Sequence, residues 1–311
     1  MSMYKYVIFF SILLFSCEKN NSISMDLDSQ IYLSLCDNFI PGNTISVLSF
    51  NRLSTSSLNS ISDVIDVVDP DIIGLQESYE IGLEIADRFD YCFYGNSNAS
   101  TAILSKYPIE GINDMQSRII FNDSIYLNFF NVHLTAFPYQ PYDIRDLLIT
   151  TESQAIYQAN QTRSAELLSL ISLVEEVKNT STMPIILTGD FNEPSHLDWI
   201  FGAENPLYFA IDSSHFTVDW PTSNKIHDLG FIDSYRHIYN NPIVHPGYTW
   251  TPYTTINEVH DRIDFIYYYP FDDLITLESV DIVGPDSQST ILIENYESDH
   301  RGLLSVFNIQ I

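Results

Sequence analysis

The sequence predicts an α/β fold in which two packed sheets are flanked by helices, and three observations predict it. Short apolar strands recur along the chain from Thr44, they outnumber the helical stretches, and several stay apolar at consecutive positions, as strands do when both faces are covered. At 311 residues, 45% of them apolar and 14% aromatic, the chain can bury one large core and is too short for two ordinary enzyme domains plus linkers.

Taken in order, Met1-Ser2-Met3-Tyr4-Lys5 precedes an apolar stretch from Tyr6 to Phe15 and then Ser16-Cys17, the layout of a secretory signal. The stretch is too short to span a bilayer. Leu14-Phe15-Ser16-Cys17 also resembles a bacterial lipobox, which implies lipidation of Cys17 and anchorage of the exported chain to a membrane, periplasmic or at the cell surface; the alternative is a plain secretory signal cleaved elsewhere. The expected division is a lipoprotein signal peptide over 1–16, a flexible tether over 17–40 rich in Asn, Ser and Asp, and one folded domain over 41–311, expected as a monomer. Cys36 and Cys92 are the other cysteines, and the sequence leaves open whether they pair or stay free.

Within the domain, Ile45–Phe50 reads as a strand. Leu58, Ile61, Ile65 and Val68 then share one helical face, closed by Asp69-Pro70. Ile72–Leu75 reads as a buried strand, and further strands are expected at 101–104, 125–134, 184–187, 262–268 and 302–307. The longest amphipathic helix is expected over 152–177.

Charge narrows the chemistry. The 41 acidic against 13 basic residues give a formal net charge of −28, which repels phosphate-rich polymers at long range. No basic, aromatic-interleaved stretch is present to track a nucleic-acid backbone. A dedicated duplex-DNA binder is therefore disfavoured, whereas phosphate chemistry stays open, because a bound divalent cation reverses the local field.

The polar residues that stand out each end or follow an apolar strand: Asn51, Gln76-Glu77, His133, Asp190-Phe191-Asn192, Asp264 and Asp299-His300. Strand ends that converge on one sheet edge make a cleft. Singly, each has a bland reading: Gly189-Asp190 as a turn, Asn51 as a strand cap, a lone histidine as a hydrogen-bonded structural residue. Asp264, inside an apolar strand, is the least ordinary, since a buried carboxylate costs several kcal/mol, of order 3–5, when left unpaired.

Their joint order weighs more. Asn51, Gln76-Glu77, Asn131-Val132-His133, Gly189-Asp190-Phe191-Asn192, Arg262-Ile263-Asp264-Phe265-Ile266 and Ser298-Asp299-His300 resemble, in this order, the DNase I-like endonuclease/exonuclease/phosphatase superfamily. The resemblance implies a four-layer α/β/β/α sandwich and hydrolysis of phosphate esters with magnesium or a similar ion such as manganese or calcium. It implies Glu77, Asp299 and Asn51 at the metal, and Asp190, His300, Asp264, His133 and Asn192 as catalytic groups. Either Asp190 or the His300–Asp264 pair then serves as the base.

Elementary chemistry agrees. Two carboxylates about 4 Å apart repel by roughly 4 kcal/mol at an effective dielectric near 20, a penalty a cation removes. Oxygen ligands suit a hard ion, and no zinc-type Cys/His spacing is present. The Phe137–Tyr142 segment following His133 reads either as a roof over the pocket or as a rigid turn, and Trp250 either as packing near the site or, the favoured reading, as a core indole on a strand. His196, Arg145 and Arg163 read either as phosphate contacts or as surface ion pairs.

The leading expectation is thus a metal-dependent hydrolase of small phosphoesters or lipid head groups outside the cytoplasm. A secreted nuclease of the same fold is the alternative, and a catalytically inactive surface-binding lipoprotein ranks third, since every member of the constellation is present.

Overall fold

A computed structural model describes residues 24–25, 31–33, 42–96, 98–203, 217–253, 255 and 257–310. The expected signal peptide, Cys17, Cys36 and most of the expected tether lie outside the described residues. The chain runs through β1 (Ser24–Met25), β2 (Ile31–Leu33), β3 (Thr44–Asn51), α1 (Leu58–Val68), β4 (Ile72–Gln76), α2 (Ile81–Phe89) and β5 (Cys92–Asn96). It continues through β6 (Thr101–Ser105), β7 (Ile109–Asn113), β8 (Gln116–Ile120), β9 (Tyr126–His133), α3 (Gln140–Arg145), α4 (Glu152–Thr180) and β10 (Ile185–Asp190). The last elements are α5 (Pro221–Asp228), β11 (Ile232–Asp233), α6 (Ser234–Ile238), β12 (Asp264–Tyr269), β13 (Ile275–Gly284), β14 (Ile291–Leu292) and β15 (Gly302–Ile309).

One sheet orders its strands β1-β2-β5-β6-β4-β3-β15-β13-β14 and the other β11-β12-β10-β9-β8-β7, each mixing parallel and antiparallel pairs. Helices α1 and α2 lay Ile61, Val64, Ile65 and Ile85 on Leu48, Phe50, Ile73 and Leu75 of the first sheet. Helix α4 lays Leu167, Leu170, Val174 and Val177 on Phe130, Val132, Leu187 and Tyr267 of the second. Ile45, Val47, Ile72, Phe129, Ile186, Ile266 and Phe307 fill the space between the sheets. The expected four layers are present. Two short stretches inside the expected tether add edge strands, β2 pairing with β5 and β1 with β2.

Helix α1 begins and ends where local chemistry dictates: the Ser57 hydroxyl accepts from the Ser60 amide, and Asp69 turns left-handed at φ 47° to close it. Helix α4 is capped likewise by Thr151 and runs three residues past the expected end. Cys92, fully buried, is disulfide-bonded; both other cysteines lie outside the described residues.

The alternation of strand side chains explains how a core becomes a site. On the face between the sheets, β3 presents Ile45, Val47, Ser49 and then Asn51, while β4 presents Ile72, Gly74 and Gln76. Strand β9 presents Leu127, Phe129, Asn131 and His133, and β10 presents Ile186, Thr188 and Asp190. Strand β12 runs antiparallel to β10, so its order is reversed: Tyr268 and Ile266 lie deep and Asp264 at the edge. Each strand is apolar at one end of this face and polar at the other. The polar ends coincide because β9 and β10 run parallel in the register Asp190 to His133.

A polar layer joins the sheets beneath that edge. Gln76 Nε2 donates to Asn131 Oδ1 at 2.7 Å, Asn131 Nδ2 donates to the carbonyls of Leu75 and Ala102 at 2.9 and 3.0 Å, and the Thr188 hydroxyl lies 3.1 Å from Asn131 Oδ1. The Gly189 amide donates across the gap to Ser49 Oγ at 3.1 Å. Gly74 permits this approach, since a Cβ there would stand 2.0 Å from Thr188 Oγ1 and 2.9 Å from Asn131 Oδ1. Gly74→Ala is expected to cost about 1–3 kcal/mol of stability. Gly42→Ala, where the nearest atoms stand at 3.9 Å, should stay within about 0.5 kcal/mol of wild type. Urea unfolding of the two variants checks this, and equal midpoints would refute the tight approach.

Candidate active site

The polar strand ends converge on Asp190, which is buried. Its Oδ2 accepts from Asn51 Nδ2 at 3.0 Å, and its Oδ1 accepts from the Asn192 amide at 2.8 Å. Two imidazoles approach the same Oδ2, His133 Nε2 at 3.6 Å and His300 Nε2 at 3.7 Å. The other ring nitrogen of His300, Nδ1, is 2.9 Å from Asp264 Oδ2. Burial pushes the His300 imidazolium toward deprotonation, but Asp264, Asp190 and Asp299 outweigh it and raise its pKa to about 10. Asp264, wholly buried, is itself pushed upward by burial, with His300 opposing.

Glu77 and Asp299 lie in the same cleft. Glu77 follows β4 in a left-handed turn at φ 52°, and Arg52 fixes that turn by donating from Nε to the Glu77 carbonyl at 2.7 Å. Burial would raise the Glu77 carboxyl, but the Ser54 amide, at 2.6 Å from Oε2, helps hold it below the usual range. Asp299 is raised, by burial first and then by the charges of Glu77 and Asp190, with His300 opposing. Its Oδ1 is buried without a hydrogen-bond partner. A half-buried acid pair with an orphaned oxygen suits a hard divalent cation, whose charge lifts both penalties. Asn51 shares its amide nitrogen with Asp190, and its Oδ1 accepts from the Leu53 amide at 3.1 Å.

Asp190, Asp264 and His300 also place ligand atoms within 4.8 Å of one another. Asp264 and Asp190, however, address opposite nitrogens of one imidazole ring, at 2.9 and 3.7 Å. That arrangement suits a hydrogen-bonded relay, because an imidazole ligates an ion through one nitrogen only.

A cavity of about 230 Å3 is lined by Asn51, Glu77, His133, Asp190, Asn192, Asp299 and His300, with Asp264 behind His300. Ala136, Phe137, Tyr139, Tyr142, Trp250 and Ile263 complete its lining. Of the two readings of the Phe137–Tyr142 segment the roof therefore holds. Trp250, expected as a core indole, is only half-buried and packs edge-on against His300, ring centroids 4.9 Å apart. Asn192 directs its amide nitrogen to the Leu134 carbonyl at 2.9 Å.

The outlying candidates do other work. Arg163 is buried and donates to Gln140 Oε1 at 2.7 Å and the Ala136 carbonyl at 3.1 Å, with Glu193 at 3.5 Å, so it holds the roof and does not line the cavity. Arg145 pairs with Asp146 and lies 4.7 Å over the Tyr142 ring. His196 bonds Ser223 at 2.9 Å, outside the cavity. Sequence reasoning missed Asp261, which accepts from Tyr139 Oη at 2.8 Å and Trp199 Nε1 at 3.0 Å. It read Arg262 only as a motif residue, whereas Arg262 is buried between Asp198 and Asp233 and fixes the approach to Asp264.

The profile of the endonuclease/exonuclease/phosphatase family matches residues 47–300. An uncharacterized protein of Caenorhabditis elegans is 26% identical over 262 residues, covering 76% of this chain and 82% of its own length. An AP endonuclease from Archaeoglobus fulgidus superposes with a TM-score of 0.54 at 18% identity, over 85% of this chain and all of its own. The 3' phosphatase NExo from Neisseria, bound to a product DNA hairpin, superposes with a TM-score of 0.53 at 16% identity, over 84% of this chain and 98% of its own.

The Arg163–Glu193 pair yields a test of how the roof is held. Burial raises the Glu193 carboxyl and Arg163 opposes that shift. Without the guanidinium, the folded state retains a proton at Glu193 that the unfolded chain releases above about pH 4.3. A carboxyl raised by folding favours the folded state below the unfolded value, and this contribution is lost as pH rises through the folded one. Arg163→Met is therefore expected to be about 3–5 kcal/mol less stable than wild type at pH 7, with the deficit narrowing toward pH 4. A deficit independent of pH in urea melts would show that Arg163 acts through packing alone.

Proposed function

We propose a reaction from the premise that this chain belongs to the endonuclease/exonuclease/phosphatase family, and so hydrolyses phosphoric esters: water attacks phosphorus, and Glu77 and Asp299 would hold a divalent cation beside it. The observation that carries the reading is the single cavity lined by Asn51, Glu77, His133, Asp190, Asn192, Asp299 and His300. The oxygen donors of Glu77 and Asp299 suit magnesium, manganese or calcium. Such an ion, when bound, supplies Lewis acidity to the phosphoryl group and charge for the leaving oxygen.

The chain's own residues supply the rest. Asp190, fixed by Asn51 and the Asn192 amide, orients the attacking water and takes its proton. His300, held by Asp264, and His133 direct N–H groups at the phosphoryl oxygens as charge develops there. Asn51 reads as the group that orients Asp190 more than as a metal ligand, since both ends of its amide are engaged.

We place the substrate among small or lipid-borne phosphoesters. Among the described residues no Lys or Arg lines the cavity, and the net charge of −28 opposes a polyanion. A nuclease is the second reading, favoured by the likeness to a phosphatase bound to DNA product. Export as a lipoprotein through Cys17 remains our proposal for location, and the disulfide at Cys92 supports an oxidising compartment.

Turnover of bis-aryl and mono-aryl phosphates is expected to require added magnesium or manganese and to cease with chelator. Asp264→Asn is expected to lower kcat about 10²–10⁴-fold by freeing the imbedded imidazole from its orienting carboxylate. Glu77→Gln should raise the metal concentration for half-maximal rate by about 10–100-fold. Metal titrations of kcat check both, and an unchanged half-saturation in Glu77→Gln would move the ion elsewhere. Plasmid cleavage that falls steeply with salt would promote the nuclease.

A further inference from the structure

The cavity is lined by two unlike sets of residues. One carries every group that handles phosphate. The other is aromatic: Phe137, Tyr139, Tyr142 and Trp250, with Ile263 at its base. The two tyrosines do not offer their hydroxyls to a ligand. Tyr139 donates to Asp261 Oδ2 and Tyr142 to Glu258 Oε1, each at 2.8 Å, and the rings meet edge to face with centroids 5.1 Å apart. Both hydroxyls are thus committed to carboxylates, and the rings are left to present carbon to the cavity. Tyr139 also joins Val259 and Ile263 in a small buried cluster against which Tyr142 and Trp250 pack.

Tyr139, Tyr142 and Trp250 are held in place. Asp261 receives the Trp199 indole as well as Tyr139, and its backbone pairs with Trp250, so one residue fixes two of the rings. Arg163 holds the carbonyls of Ala136 and Pro138 from below the roof. Rings locked in advance lose little freedom when a ligand stacks on them. Arg145, the cation stacked on Tyr142, is bound to Asp146 through both Nε and Nη2 and does not line the cavity. Among the described residues no Lys or Arg lines it, so the aromatic residues bring no cation to a second anionic group on the substrate.

We infer that the aromatic lining is a subsite for an uncharged, ring-bearing organic group esterified to the phosphate. The preferred substrate accordingly carries one phosphate and an apolar ring, and a second anionic group is excluded. This rests on the phosphoesterase reading of the same cavity and adds to it what the ester carries.

The test is binding to the full chain in the presence of magnesium, read by calorimetry and so independent of turnover. Phenylphosphonate, methylphosphonate and 2-carboxyethylphosphonate share the phosphonate and differ only in the attached group. Phenylphosphonate is expected to bind about tenfold or more tightly than methylphosphonate, and the carboxyethyl compound more weakly than either. Phe137→Ala, at a side chain 71% exposed and therefore safe for folding, should shrink the phenyl preference to about threefold or less, and Tyr142→Leu should do the same while keeping bulk. Equal affinities for the three compounds, or a phenyl preference untouched in both variants, would overturn the subsite while leaving hydrolysis of aryl phosphates in place. Absence of all phosphonate binding together with absence of hydrolysis would overturn the subsite and the phosphoesterase reading at once.

Discussion

The structure depends on a polar bridge between two sheets that are otherwise held together by hydrocarbon. Asn131 sits at its centre, accepting from Gln76 and donating to the carbonyls of Leu75 and Ala102 on the facing sheet. An apolar interface resists separation but tolerates sliding, because dispersion and burial have little directional preference. A fully bonded amide does not tolerate it, since any shift leaves a buried donor or acceptor without a partner. Placed one residue pair below the reacting groups, the bridge fixes Asn51 and Glu77 of one sheet against His133 and Asp190 of the other. These are groups that must agree in position to a fraction of an ångström.

Above the bridge the problem is electrostatic. Asp190, Asp264, Asp299 and Glu77 crowd into one edge of a chain that already carries a large negative charge. The protein answers with imidazole and amide donors around Asp190. To Glu77 it gives the Ser54 amide, and Asp299 Oδ1 it leaves without a donor.

Much of this was legible in the sequence where period-two alternation met a run of apolar residues. Strands β3, β4, β9, β10 and β12 were readable because their apolar cores end in Asn51, Gln76, His133, Asp190 and Asp264, and α1 because its spacing and its Asp69-Pro70 stop agree. Strand β13 was not, since its outer half alternates with exposed Thr276 and Glu278 and lacks an apolar run, and α2 is too short for its period to stand out. Arg163 did leave a signal that went unread: it lies on the buried stripe Ala155, Ala159, Arg163, Leu167 of α4, where a charge implies a partner. Asp261 left none, because its role depends on tyrosine and tryptophan side chains supplied by distant loops.

The reacting groups sit on or beside strand ends, whose positions the sheets dictate, whereas Phe137, Tyr139 and Tyr142 sit on a connecting segment tied down by the Arg163 guanidinium and by the carboxylates of Asp261 and Glu258. Much of the selectivity is therefore written on a stretch of chain apart from the chemistry. Descendants of such a protein can exchange one roof for another and acquire new diets while inheriting the same hydrolytic machinery, so divergence in this lineage should be sought in the few residues after His133 long before it is sought in the sheets.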